Sequence, residues 1–316
     1  MMDATDLHCR YFHRLLTRRT RLYTEMVTTG ALLHGDVRRH LEFNTEEHPL
    51  ALQLGGSEPA ELAACARLGE RWGYDEINLN CGCPSERVQR GAFGACLMKE
   101  PALVADCVKA MRDATSLPVT VKHRTGIERT ESYAFVRDFV GTLAAAGCEV
   151  FIVHARNAWL RGLSPKENRE IPPLRHDFVA RLKHDFASLT IVANGGVSSD
   201  ADVASHLAQA DGVMVGRHAY HEPWALASWD ARWFGERGPA ASREQVMAQW
   251  VAYLETLAPQ GIAWPAAMRH ALGLYNGVPG ARAWRRAWSE PAHRGLAPRV
   301  VAEVARAGLD AVALAC

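Results

Sequence analysis

The chain has 316 residues, 48% of them hydrophobic, and 36 lysines and arginines against 35 acidic residues give a net charge of +1. That size supports a large core, as one big domain or one big plus one small, while the near-neutral charge leaves no partner to be read from bulk electrostatics. The eight cysteines show neither the even spacing of a disulfide framework nor a Cys-x-x-Cys pair, so they read as reduced thiols of a cytoplasmic protein. No basic-then-apolar leader opens the chain, and no run of about 18 apolar residues suggests a membrane span.

In chain order, a helical stretch over Asp6–Thr17 is followed by short apolar or β-branched runs alternating with segments of helical period. Strands are expected at Leu22–Glu25, Leu50–Leu54, Glu76–Leu79, Val119–Lys122, Val150–His154, Thr190–Ala193 and Gly212–Val215. Helices are expected at 58–72, 101–115, 131–146, 174–187, 199–209 and 218–235. Repeated βα units of this kind build a parallel sheet, and seven strands stand one short of a (β/α)8 TIM barrel. A doubly wound sheet competes, but no strand is followed by G-x-G-x-x-G. Residues 1–237 are therefore expected to form the barrel, its first strand truncated. Residues 238–316, without a strand-like run and with helical stretches at 242–256, 265–275, 280–288 and 297–314, are expected to form an all-helical domain.

Polar and glycine residues gather at the expected C-terminal ends of strands, the end where barrel active sites lie. They include Gln53, Asn80 to Ser85, Lys122, His154, Asn194-Gly195-Gly196 and Gly216-Arg217. Glycines at the last two strand ends let backbone N–H groups approach a phosphate, although two ordinary turns would show the same pattern. Lys122 is aimed at the barrel mouth, where a cation would hold an anionic reduced isoalloxazine or a carboxylate; the plainer reading is a lysine reaching solvent. His154 reads either as a ligand to such a group or as a structural histidine. Cys83 sits between Gly82 and Pro84, and a thiol that is mostly protonated at neutral pH can donate a proton as well as attack. Cys65, Cys81, Cys96, Cys107 and Cys148 read as small core hydrophobes, and no metal site is expected, because no ligand pair complements Cys81-x-Cys83. In the tail, Arg282, Arg285 and Arg286 fall on one helical face and Trp284 and Trp288 on another, which suits an RNA backbone or simply a solvated bundle face.

Taken together, Asn78 to Gln89 with Gly91 to Met98 resembles the catalytic signature of the tRNA-dihydrouridine synthase family, and the likeness runs nearly the whole chain. Tyr23 to Ala31, Ser164 to Pro173 and Pro279 to Arg286 are similar to the branch that modifies D-loop uridines 20 and 20a. The resemblance implies an FMN-bound barrel with a helical tRNA-binding domain, reduced by NADPH (or NADH), acting as a monomer on tRNA. It implies hydride transfer to C6 of a flipped-out uracil, and Cys83 as proton donor to C5. Met1, Gln53, Lys122, His154, Asn194, Gly195, Gly196, Gly216 and Arg217 fall at its FMN-contacting positions. Asn80, Lys166, Arg169, Arg282 and Arg285 fall at tRNA-contacting positions. Members usually open with a strand ending Ala-Pro-Met followed by Asp-Trp-Thr-Asp; here the chain starts at that point, with Ala4 in place of the tryptophan. An open barrel seam and weaker FMN binding are expected from this departure. Two competing readings are a flavin barrel acting on a free small molecule, which would have no use for the arginine-tryptophan tail, and a non-catalytic RNA-binding protein on the same scaffold.

Overall fold

The computed structural model describes residues 1–236 and 242–313. The expected domain boundary at 237/238, and position 314 at the end of the last expected helix, lie outside these residues. Contacts divide the chain into two compact units. The first comprises Met1–Met2, Arg21–Phe43 and His48–Gly216, and the second Asp3–Thr20, Asn44–Glu47 and Arg217–Cys316.

The first unit is built on strands β1 (Leu22–Thr28), β2 (Leu50–Gly55), β3 (Glu76–Cys81), β4 (Val119–Arg124), the two-residue hairpin strands β5 (Gly126–Ile127) and β6 (Thr130–Glu131), β7 (Val150–His154), β8 (Thr190–Asn194) and β9 (Gly212–Met214). Seven of them form one sheet in the order β1-β2-β3-β4-β7-β8-β9, every pair parallel. Chain order and spatial order coincide, so there is no reversal point of the kind that defines a doubly wound sheet. This is the winding of a TIM-barrel-like α/β fold. Among the described residues no ladder joins β1 to β9. Met1 stands at the β9 side of that seam, its Sδ 3.3 Å from where a Cβ on Gly216 would lie.

Period two explains which residues face where. On β3, Ile77, Leu79 and Cys81 are fully buried among helix side chains, while Glu76, Asn78 and Asn80 alternate with them and hydrogen-bond across the strands. Helix Pro59–Trp72 starts on proline at its first turn and stops at Gly73, whose φ of +91° closes it in the left-handed region. It packs Leu62, Cys65 and Ala66 onto the sheet, and a Cβ on Gly69 would meet Ile77 Cδ1 at 2.5 Å and Leu52 Cδ2 at 3.0 Å, so the glycine leaves the space those two strand side chains fill. Each such buried leucine or isoleucine contributes about 1.5–3 kcal/mol.

β1, β2, β3, β4 and β8 run longer than expected, β7 matches and β9 stops one residue short, at Met214. β3 and β4 extend to Cys81 and Arg124, which places Asn80 and Lys122 within the sheet as register partners. Expected helix 218–235 is instead three pieces, Arg217–His221, a 3-10 turn Pro223–Ser228 and Trp229–Trp233, because Pro223 cannot continue the preceding turn. Expected helix 265–275 is helical only over Trp264–Met268.

The second unit is helical. Helix Leu7–Arg14 is capped by Asp6, whose carboxylate accepts from Cys9 N and pairs with Arg269 and His270. Tyr11 stacks on Tyr253 at 4.0 Å, from helix Arg243–Glu255. Helix Ala281–Ser289 lies close on helix Pro298–Ala313: a Cβ on Gly280 would fall 2.8 Å from Leu309 Cα. Among the described residues no helix is long and apolar enough to cross a membrane.

Candidate active site

Cys83 lies just past the end of β3, in a turn held from both sides. Asn80 Oδ1 accepts from the backbone N–H of Gly82 (3.0 Å) and of Cys83 (2.9 Å), and the Cys83 carbonyl accepts from Ala95 N at 2.9 Å. Gly94 is required beside it: φ is +72°, and a Cβ would lie 2.6 Å from the Cys83 carbonyl oxygen and 2.4 Å from Val88 Cγ1. The thiol is half-buried and donates to the Ser85 hydroxyl at 3.6 Å. Cys65, Cys81, Cys107 and Cys148 are buried, as expected, and so is Cys9. Cys96 is only partly buried, with Sγ 2.8 Å from the Phe93 carbonyl.

The register sets the other site residues of the first unit in two adjacent rows, two residues apart along β4. Asn80 pairs with Lys122, Arg124 with His154, and His154 with Asn194. Lys122 Nζ donates to Asn194 Oδ1 at 3.0 Å, and Asn194 Nδ2 donates to the Met214 carbonyl at 2.7 Å, so the amine is oriented by the neighbouring strands. Desolvation, with help from Arg124, lowers the Lys122 amine to about 8. His154 is pushed well below its ordinary value by burial and by Arg124, Lys122, Arg156 and Arg169, so it is a neutral imidazole. Gly195 and Gly196 both hold positive φ, +102° and +75°. A Cβ on Gly195 would sit 2.6 Å from His154 Cδ2, and one on Gly196 2.5 Å from Leu174 Cδ1. Gly216 follows β9 beside Met1, and Arg217 opens the short helix Arg217–His221 of the second unit. Gln53 lies on β2, its amide between Asn78 and Asn80.

Lys166 and Arg169 are exposed on a loop built around the fully buried Asn168. The Asn168 amide donates to the carbonyls of Trp159, Leu163 and Ser164 and accepts from Trp159 N at 2.8 Å, which leaves its neighbours facing solvent. In the second unit, helix Ala281–Ser289 buries Trp284 and Trp288 and exposes Arg282 and Arg286; Arg285 is partly buried and donates to Asn276 Oδ1 at 2.5 Å. The separation of cationic and aromatic faces is therefore as expected.

Five residues that were given no role of their own from sequence contribute to the site. Arg124 is almost fully buried and donates to the carbonyls of Gly82, Asn157 and Asn168. Gln89 donates to the carbonyls of Pro84 and Leu160, a second tie between the cysteine turn and the loop of Lys166. Glu76, Asn78 and Thr120 continue the polar row beneath Asn80. The signal for the last group was visible as polar residues at every second position of an otherwise apolar strand. Chemically the site joins a thiol, a neighbouring pair of cations, a neutral imidazole and bare glycine backbone. Among the described residues no three histidine, cysteine or acidic side chains are grouped to hold a metal.

The family model for dihydrouridine synthases matches residues 1–307. A tRNA-dihydrouridine(20/20a) synthase of Pseudomonas putida is 58% identical over 301 residues, 95% of this chain and 90% of that protein. One from Salmonella typhimurium is 57% identical over 306 residues, 96% of this chain and 92% of that protein. Among solved structures, a 2-naphthoyl-CoA reductase complex shares the fold at a TM-score of 0.53 and 10% identity, over 72% of this chain and 47% of that one. With a family match over nearly its full length and relatives of this identity, the chain belongs to the dihydrouridine synthase family.

Proposed function

We propose that this chain reduces the C5–C6 double bond of uridine to 5,6-dihydrouridine in tRNA, at positions 20 and 20a of the D-loop, with FMN as cofactor and NADPH as reductant. The observation that carries the reading is the grouping of Cys83, Asn80, Lys122, His154 and Gly195 at one end of one parallel sheet, in a chain of this family. The residues fit a flavin mononucleotide. Gly195 and Gly196 offer backbone that any side chain would obstruct, which suits a phosphate, and a lysine with a lowered amine pKa suits a ring that becomes anionic. Gln53, Lys122, His154, Asn194 to Gly196, Gly216, Arg217 and Met1 would hold it. Bound FMN, once reduced, supplies the hydride that uracil takes at C6.

The remaining chemistry belongs to the protein. As C6 gains the hydride, the π electrons move to C5, and the Cys83 thiol delivers a proton there, leaving a thiolate. The thiol is within electrostatic reach of Lys122 and Arg124, and both cations stabilise that thiolate. His154, being neutral, orients by hydrogen bonding without adding charge. Asn80 holds the cysteine turn and lines the substrate side of it. Extruding the base costs a few kcal/mol, which the cationic contacts of Lys166, Arg169, Arg282 and Arg285 with the tRNA backbone offset.

The test is mass mapping of dihydrouridine in tRNA from a synthase-deletion strain complemented with this chain. Restoration at 20 and 20a supports the reading; restoration at 16 or 17 sinks the branch assignment, and none at all sinks the function. A Cys83→Ala chain should bind flavin and tRNA yet restore nothing.

A further inference from the structure

Beneath Cys83 a single-file row of hydrogen bonds runs down the polar face of the sheet. Cys83 N donates to Asn80 Oδ1 (2.9 Å) and Asn80 Nδ2 to Gln53 Oε1 (2.9 Å). Gln53 Nε2 donates to Asn78 Oδ1 (2.9 Å), Asn78 Nδ2 to Thr120 Oγ1 (2.7 Å), and Thr120 Oγ1 to Glu76 Oε1 (2.6 Å). Every bond points the same way, toward the carboxylate. Asn78 and Glu76 are almost fully buried, and Thr120 is buried with them. Glu76 is held in turn by Arg21 and by the Tyr23 hydroxyl.

We propose that Glu76 is the positioning residue that sets the polarity of this row, and through it the geometry of the cysteine turn. A carboxylate can only accept, so the Thr120 proton is committed to it, and the Thr120 oxygen is left to accept from Asn78. Asn78 must then turn its carbonyl to Gln53, Gln53 its carbonyl to Asn80, and Asn80 its carbonyl to the N–H groups of Gly82 and Cys83. An asparagine can present either end of its amide; here the choice at Asn80 is made four hydrogen bonds away by a group that cannot donate. Aligned bonds in a dry environment also strengthen one another. If the row reversed, Asn80 would face two backbone N–H donors with its own NH2, and the turn would have to open. Cys83, Asn80 and Gln53 carry roles in the proposed reaction; Glu76 and Thr120 act only through them.

The inference rests on the proposed reduction of uridine for its catalytic readout, so the test pairs that readout with one independent of it. The FMN-loaded enzyme and its E76Q, T120V and T120S variants are compared. The first readout is steady-state turnover on tRNA. The second is the iodoacetamide alkylation rate of Cys83, resolved from Cys96 by peptide mass spectrometry without tRNA. E76Q can donate to Thr120 and so permits reversal; T120V keeps the side-chain volume and breaks the row; T120S keeps the row. For E76Q and T120V the expected results are a kcat lower by about tenfold or more, KM for tRNA and flavin occupancy within about twofold of wild type, and Cys83 alkylated at least about threefold faster. T120S should behave as wild type on every readout. Equal behaviour of T120V and T120S overturns the proposal, as does an unchanged alkylation rate in E76Q, or flavin loss in T120V with Cys83 unaffected. If E76Q fails to fold, the T120V and T120S pair alone decides. A wild-type protein inactive on tRNA would refute the proposed function, while the alkylation comparison would still judge the role of Glu76.

Discussion

Arg124 donates through Nε to the carbonyl of Gly82, the residue before Cys83, at 3.0 Å. The same guanidinium reaches the carbonyls of Asn157 and Asn168 through Nη1, so one buried side chain joins the cysteine turn to the loop that carries Lys166 and Arg169. Burial lowers its pKa to about 10, and it stays charged at neutral pH. Arg124→Met removes that charge and leaves three carbonyls unsatisfied. Each unmade bond to a buried group costs about 1–3 kcal/mol, partly recovered by relaxation, so a loss of roughly 2–4 kcal/mol is expected in denaturant unfolding. Arg124→Lys, with a single point charge in place of a fork, should recover less than half of that loss.

Gly195→Ala tests the proposed phosphate cradle. At φ +102° alanine is strained, and its Cβ would lie 2.6 Å from His154 Cδ2, so either the glycine turn or the imidazole must move. Flavin affinity should fall at least about tenfold, or 1.4 kcal/mol, by fluorescence titration. Gly212→Ala in β9 is the comparison: its Cβ meets Val192 Cγ2 at an ordinary 3.4 Å, and affinity should stay within about threefold of wild type.

The strand ends that converge on Cys83 were legible because barrel strands announce themselves as short apolar runs, with their functional residues at the last positions. His154 and Asn194 were placed correctly at strand ends by that rule alone, while Lys122, expected to end its strand, lies two residues inside β4. Arg124 was not legible as a clamp, since its acceptors are backbone carbonyls 33 to 44 positions away and carbonyls leave no trace in sequence. The row under Asn80 is similar: Glu76, Asn78 and Asn80 show the period, but their partners Gln53 and Thr120 come from separate strands, and only register reveals them. The helix expected at 218–235 failed for a local reason that was readable, the proline at 223.

Lys122 gives a pH-dependent prediction whose sign follows from its lowered pKa. Without flavin the folded amine titrates near 8, below the unfolded value of about 10.4. Between these values the unfolded chain binds more protons, so stability rises with pH there, and below 8 the protein carries the full cost of a desolvated ammonium. Flavin-free Lys122→Met should therefore be more stable than wild type at pH 7, by roughly 1–3 kcal/mol, with the advantage shrinking toward pH 10.5. Urea unfolding at the two pH values checks it. The variant should also lose turnover on tRNA, and a stability advantage that persisted unchanged at pH 10.5 would reject the electrostatic account.

The cationic face of helix Ala281–Ser289 yields the last prediction. Arg282 is exposed, while Arg285 is anchored on Asn276, whose own amide donates to the His221 carbonyl and to Glu222. Anchoring costs Arg285 less side-chain entropy on binding, so of the two it should contribute more to tRNA affinity. Each arginine that neutralises a phosphate releases counterion, so each alanine variant should flatten the plot of log affinity against log salt by about 0.7–0.9. Affinity near 100 mM salt should drop about 3-fold for Arg282→Ala and 10-fold for Arg285→Ala, since one phosphate contact is typically worth about 1 kcal/mol. Because Trp284 and Trp288 hold the helix from the opposite face, thermal midpoints should move by no more than about 2 °C. Equal salt slopes for wild type and both variants would assign this face to solvent and take the two arginines out of the tRNA interface.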